Sequence, residues 1–217
     1  MNCALSFSGG KDSMLSLHVA KCEMNYNIKC LFTTTNQDIG SWFHDVDINI
    51  LNAIAKEIDI DFISRAITLD NYNDDFEKLL SDIKIKYQLD GIIFGDIDIE
   101  EHLKWCQEIC EKVGLKAIFP LFKMKRLDVV EKFIKLEYEA IVKRVDKKIL
   151  SKDYLGKPFD LKLIEELKNM KIDSCGENGE FHTLVVNGPI FKNKIKLKKT
   201  EIKESENTYL YAVKLDE

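Results

Sequence analysis

Residues 5–20 read LSFSGGKDSMLSLHVA, and the turn at their centre decides how the chain folds. The apolar run Ala4 to Phe7 predicts a short buried strand, and the spacing of apolar residues from Met14 to Cys22 predicts a helix. Between them stand Ser8, two adjacent glycines (Gly9, Gly10), Lys11, Asp12 and Ser13. Adjacent glycines can take positive φ and approach a ligand with no Cβ in the way. The first backbone N–H groups of the following helix lack intrahelical partners and suit an anion. Lys11 adds a positive charge, Ser8 and Ser13 add hydroxyl donors, and Asp12 can hold Mg²⁺ beside phosphates. A plain N-cap at Asp12 or Ser13 accounts for one of these residues. It does not account for the whole pattern directly after a buried strand. The spacing is neither GxxxxGK[ST] nor GxGxxG. The expected ligand is a triphosphate.

Outward from this turn, strand-like and helix-like segments alternate. "IKCLFTTT" reads as the next strand, and Leu51, Ile54, Ala55 and Ile58 mark a helical face. "DFISRAI", a helix through Leu79 and Leu80, "GIIFG", a helix around Trp105 and "KAIFP" continue the series. Repeated β-α units predict an α/β fold, a mostly parallel sheet with helices on both faces. Ligands in such sheets bind beyond the carboxyl ends of the strands. Gly95 and Asp96, in "FGDID", are therefore expected in the same crevice as the loop, although Asp96 could also be a simple turn former.

The texture changes near residue 120, and Pro120, Pro158 and Pro189 all lie from there onward. A helix over Leu127 to Leu136, the strand "EAIVKRV", a helix over Asp160 to Met170 and antiparallel strands "TLVVN", "KIKLK" and "TYLYAVKL" are expected. The domain reading is 1–120 for nucleotide binding and 121–217 for a smaller α+β substrate domain.

Charge and composition narrow the function classes. The 217 residues are 45% hydrophobic and carry a net charge of -5. That balance argues against nucleic acid as the main partner. The lysines at 192, 194, 196, 198 and 199 include an alternating run that fits a strand with one solvated face. No apolar stretch approaches the roughly 20 residues that span a bilayer. With no leader ahead of the first strand, a cytoplasmic protein without membrane association is expected. The six cysteines form no CxxC; Cys106 and Cys110, four apart on a helix, fit buried thiols in a reducing compartment better than a metal site. A homo-oligomer is compatible with all of this.

The second concentration of chemistry is "SCGENGEFHTLVV", residues 174–186. Asn178-Gly179 is a turn signal, and a solvated hairpin tip is the simplest account of it. However, Glu180 and His182 share one face of a strand that begins near them, by the period of two. Leu184, Val185 and Val186 follow, apolar on both faces. Carboxylates and an imidazole leading into a buried strand need a partner, such as a metal, a cationic substrate or one another.

Ser8 to Ser13 resemble the PP-loop of the ATP pyrophosphatases, which cleave ATP to AMP and pyrophosphate. Together with "GDI", "PLF", "CGENGEFHT" and "GPIF", the chain resembles the diphthine–ammonia ligases over nearly its whole length. "LSKDYLGKPFD" resembles that family's linking segment, and "SWFH" its serine and histidine element, which lifts His44 to a candidate substrate residue. The resemblance implies a HUP-type ATP-binding fold and an amide-forming ligase. A carboxylate, diphthine on elongation factor 2 or an analogous small acid, would be adenylated, and ammonia would then displace AMP. It implies ATP and Mg²⁺ as cofactors, with Ser8, Gly9, Gly10, Lys11, Asp12, Ser13, Gly95 and Asp96 around the nucleotide and Asp12 toward the metal. Lys11 would stabilise the leaving pyrophosphate. Glu180 or His182 would take a proton from ammonium, and Gly176, Glu177, Asn178, Gly179, Glu180 and Thr183 would line the acyl side. The segment after Asp96 resembles the branch found in bacteria, which do not make diphthamide, and "PLF" stands where the family has "PLW".

Two other readings stay open at this point. PP-loop enzymes also thiolate tRNA, commonly with a cysteine pair and an RNA-binding domain, and this chain has neither a CxxC nor a basic balance. A non-catalytic adenine-nucleotide-binding module would be expected to carry a degenerate loop, whereas both motifs here are intact.

Overall fold

The computed structural model of the chain describes residues 1–36 and 46–216. These divide into two compact units, one from residues 1–8, 12–36 and 59–124, the other from residues 9–11, 46–58 and 125–216. No described helix is long and apolar enough to cross a membrane.

The first unit is a parallel sheet of β1 (Asn2–Ser6), β2 (Asn27–Asn36), β3 (Asp61–Ile67), β4 (Gly91–Ile93) and β5 (Lys116–Ile118), in the order β3-β2-β1-β4-β5. The α/β expectation holds. Between the strands run α1 (Lys11–His18), continued by a π-helical turn at Val19–Glu23, then α3 (Tyr72–Tyr87) and α4 (Glu100–Lys112). Ala4, Cys30, Phe32, Ile92 and Phe94 join Phe76, Leu79, Leu80 and Ile83 of α3 and Cys106, Ile109 and Cys110 of α4 in one core. Their strand neighbours Cys3, Leu5, Leu31 and Ile93 point the other way, by the alternation of side chains, and are fully buried too. Strands buried on both faces explain the continuous apolar runs in the sequence. The strand order reverses direction after β3, so right-handed crossovers put α1 on one face and α3 and α4 on the other.

No disulfide joins any of the six cysteines, and Cys106 and Cys110 are core residues, as the sequence reading favours. Burial pushes the Cys30 and Cys110 thiols up to about 12. They are packing groups.

The second unit holds α2 (Ile48–Glu57) and an antiparallel sheet of β6 (Glu139–Asp146), β7 (Phe181–Asn187), β8 (Leu197–Glu204) and β9 (Thr208–Leu215), ordered β7-β6-β9-β8. Asp47 caps α2 by accepting from Asn49 N, and Asp160 caps α6 (Leu161–Asn169) by accepting from Leu163 N. Val129, Val130 and Phe133 of α5 (Arg126–Lys135) and Leu163, Ile164 and Leu167 of α6 are buried. Phe133 meets Phe159 at 5.8 Å and Phe159 meets Phe181 at 6.0 Å, ring centre to ring centre. That aromatic chain fixes the first residue of β7, directly after Glu180. The expected strand "KIKLK" is displaced: β8 begins at Leu197, and Ile195 N instead donates to Val186 O, with Ile195 buried.

Candidate functional site

The strand reversal lies between β1 and β4, and the crevice beyond their carboxyl ends is where doubly wound sheets bind ligands. Both candidate segments of the first unit converge there. Ser8 follows β1, and its hydroxyl lies 3.1 Å from that of Ser13. Gly95 follows β4, and a Cβ on it would stand 3.1 Å from Ser13 N and 3.3 Å from Asp12 C. The glycine is there because the loop after β4 presses directly on the backbone that opens α1.

Asp96 is half-buried in this crevice, with His102 Nδ1 3.4 Å from its Oδ1. Its carboxyl is held above the usual range, chiefly by burial; the neighbouring His102 works against that shift and the charge of Asp12 adds to it. Asp12 and Asp96 therefore repel one another across a site at the start of a helix. A divalent cation would relieve that repulsion, and the donor set is the oxygen chemistry Mg²⁺ takes.

The middle of the loop is held in the second unit. Gly9 has φ +77°, and its carbonyl accepts from Val185 N of β7 at 2.9 Å. A Cβ on Gly9 would come within 2.6 Å of Leu51 Cδ2 and 3.4 Å of Leu184 Cδ1. The freedom of this glycine is used for packing against the protein itself, where the sequence reading expected approach to a ligand. Lys11 N donates to Thr183 Oγ1 at 3.0 Å, and Lys11 Nζ stands 3.6 Å from Glu177 Oε1. The Lys11 side chain is 5% exposed and that of Glu177 16%. The phosphate-loop motif and the GENGEFHT motif, more than 160 residues apart (177 − 11 = 166), thus meet on one lysine.

The turn of the second motif is held from within. Asn178 and Gly179 are exposed at its tip, while Glu180 is buried. The carboxylate of Glu180 accepts from Asn178 N and from Asn178 Nδ2, each at 3.0 Å, and its backbone carbonyl accepts from Asp146 N at 2.9 Å. A solvated tip therefore describes Asn178 and Gly179 but not Glu180. His182 is half-buried on β7, paired in register with Arg144 of β6. Gly176 and Gly179 turn the chain at positive φ. His44 lies outside the described residues.

Two residues at this site carried no signal in the sequence. Asp173 Oδ1 accepts from Cys175 N at 3.0 Å and its Oδ2 from Glu177 N at 3.2 Å. Arg126, the first residue of α5, donates from Nη1 to Asp173 Oδ2 at 2.7 Å and to Asn178 Oδ1 at 3.0 Å. An Arg–Asp pair 47 positions apart in the chain has no local pattern to betray it.

Residues 1–117 match the diphthamide synthase N-terminal domain, and residues 125–216 match the diphthamide synthase C-terminal domain. The diphthine–ammonia ligase of Bos taurus is 29% identical over 133 residues, covering 59% of this chain and 50% of the relative. That of Rattus norvegicus is 28% identical over 221 residues, covering 90% of this chain and 82% of the relative. The match thus spans about half the length of the bovine protein and most of the rat protein. Among solved structures, the U34-tRNA thiolase NcsA from Methanococcus maripaludis with its [4Fe-4S] cluster aligns with a TM-score of 0.41 and 16% identity, over 64% of this chain and 58% of that one. With a parallel sheet that opens on SGGKDS and family models matched along both halves, the chain belongs to the diphthamide synthase family.

Proposed function

We propose that this chain is an ATP-dependent, AMP-forming amide ligase. Its acyl substrate would be the diphthine carboxylate of elongation factor 2 or an analogous small carboxylate, with ammonia as the nucleophile. The observation that carries the reading is Lys11, a buried cation of the phosphate loop held by Thr183 and Glu177 of the second motif. The curated relatives are named for that ligation.

In this reading residues 8–13 take the β and γ phosphates. A carboxylate oxygen attacks the α-phosphorus, the bond to the bridging oxygen breaks, and pyrophosphate leaves. Lys11 and the loop N–H groups stabilise the charge that moves onto pyrophosphate, a contribution of about 3 kcal/mol for one well-placed donor. Mg²⁺, held by Asp12 with Asp96 nearby, would neutralise phosphate charge. Ammonia then attacks the acyl carbon and AMP departs, while the proton that ammonium must lose passes to a base. Glu180 is committed to Asn178, so we assign that proton to His182 and give Glu180 the task of shaping the turn. Gly176, Glu177, Asn178, Gly179 and Thr183 would line the acyl and ammonia side. A nucleotide domain over 1–120 and a substrate domain over 121–217 accord with family models that end at 117 and begin at 125.

The test mixes the purified chain with Mg-ATP, ammonium and elongation factor 2 carrying diphthine. Mass spectrometry of the modified histidine reads the acid-to-amide change, and AMP is measured in the same tube. Conversion with matching AMP is the expected result. AMP without conversion would retain adenylation and move the substrate to small carboxylates; neither product would overturn the reading.

A further inference from the structure

We infer that Arg126 and Asp173 are positioning residues that set Glu177 against Lys11, and that the loop lysine acts through this chain of contacts; the inference rests on the ligase reading above. Glu177 reaches Lys11 from a turn that has left-handed glycines on both sides and an exposed tip at Asn178 and Gly179. Its backbone N–H donates to Asp173 Oδ2. The same oxygen takes the short bond from Arg126 Nη1, and the other oxygen holds Cys175 N, so one carboxylate clamps the chain on both sides of Gly176. Arg126 also reaches past Glu177 to Asn178 Oδ1, and Asn178 is in turn held by Glu180. The turn is thereby gripped before and after Glu177 by a single guanidinium.

The pair at the centre of the grip is sheltered enough to matter. Asp173 and Arg126 side chains are 17% and 29% exposed, and the bond between them is charge-assisted at 2.7 Å. The bonds of Arg126 to Asp173 and Asn178 lead to Lys11 through the turn that carries Glu177. Glu177 is the residue of that turn that faces the loop cation. Loss of Arg126 leaves Asp173 and Asn178 to rearrange, and Glu177 then no longer holds the Lys11 ammonium in one place. A lysine that wanders still binds ATP but is misplaced when charge moves onto pyrophosphate. The loss belongs to kcat.

A double-mutant cycle on AMP release by the full-length chain separates positioning from simple support, with Mg-ATP, ammonium and diphthine-bearing elongation factor 2 as substrates. Arg126→Met is expected to lower kcat about tenfold and to leave KM for ATP within about twofold. Arg126→Lys, which keeps the charge but not the planar fork, is expected to recover only part of the loss, with KM for ATP still within about twofold. Added to Glu177→Gln, the Arg126→Met change costs less than about twofold more, because the two residues act in series. If the losses instead multiply, with KM rising as the melting temperature falls, Arg126 only supports the fold and the inference is overturned. Should Arg126→Met fail to fold, Asp173→Asn takes its place in the same cycle under the same criteria. A wild-type chain that forms no AMP overturns the ligase reading, and this inference with it; an active wild type with multiplying losses sinks the inference alone.

Discussion

The two units treat their carboxylates in opposite ways. In the parallel-sheet unit, Asp96 is half-buried beside Asp12, with its carboxyl held above the usual range. In the antiparallel unit the carboxylates in and beside the second motif have partners: Asp173 has Arg126, Glu180 has Asn178, and Glu177 has Lys11. Buried charge is costly wherever it lacks compensation. In the first unit burial therefore works against the charge of Asp96, whereas the second uses its charges to hold a turn in place.

The largest way to break this comparison is at Gly9, where the loop is built into the antiparallel unit. Gly9→Ala forces a side chain into φ +77° and against Leu51. Left-handed backbone costs about 1–2 kcal/mol and overpacking about 1–3. Thermal melting should fall by roughly 4–20 °C for a chain of this size. A melt within about a degree of wild type would show that the loop is not anchored on Leu51 and Leu184.

Glu180→Gln sharpens the same point on a smaller scale. Glutamine keeps one acceptor oxygen and turns an N–H₂ toward the second Asn178 donor. A donor left buried without its acceptor costs about 1–3 kcal/mol, so the melting temperature should drop by about 3–8 °C. An unchanged melt would mean that the carboxylate is not what shapes the turn.

Asp96→Asn should act with the opposite sign. A carboxyl raised above its unfolded value favours folding while protonated, and that advantage is lost as pH rises through the folded value. Above the folded value the charged Asp96 is a net cost, and its neutral replacement should raise the melting temperature. The gain should vanish as pH falls below the carboxylate range, where both forms are neutral. Melting curves at acid and neutral pH check it; destabilisation at pH 7 would remove the electrostatic contrast between the units.

How much of this was legible in the sequence follows the same division. The parallel sheet was readable because each β-α unit is contiguous and its strands, buried on both faces, stand out as apolar runs. Asp96 could be placed in the crevice because strand ends in such a sheet share one side. The antiparallel unit was harder. β8 carries Lys198, Lys199, Glu201, Lys203 and Glu204 on an exposed edge, so no alternation marks it, while the alternating stretch before it runs beside the end of β7. The GENGEFHT motif showed where chemistry gathers but not what each acid does. Glu180 read as a catalytic candidate because a buried acid beside a histidine fits that role, and its engagement with Asn178 requires side-chain geometry to see. Arg126 and Asp173 escaped notice for the same reason: their contacts are long-range, and neither sits in a motif.

The most direct test of the account is AMP formation by wild type and Lys11→Ala, each confirmed as folded by circular dichroism, in Mg-ATP with ammonium and diphthine-bearing elongation factor 2. The account predicts that loss of the lysine on which both motifs meet lowers AMP release at least about a hundredfold with the fold intact. AMP release near the wild-type rate from the folded variant would contradict it.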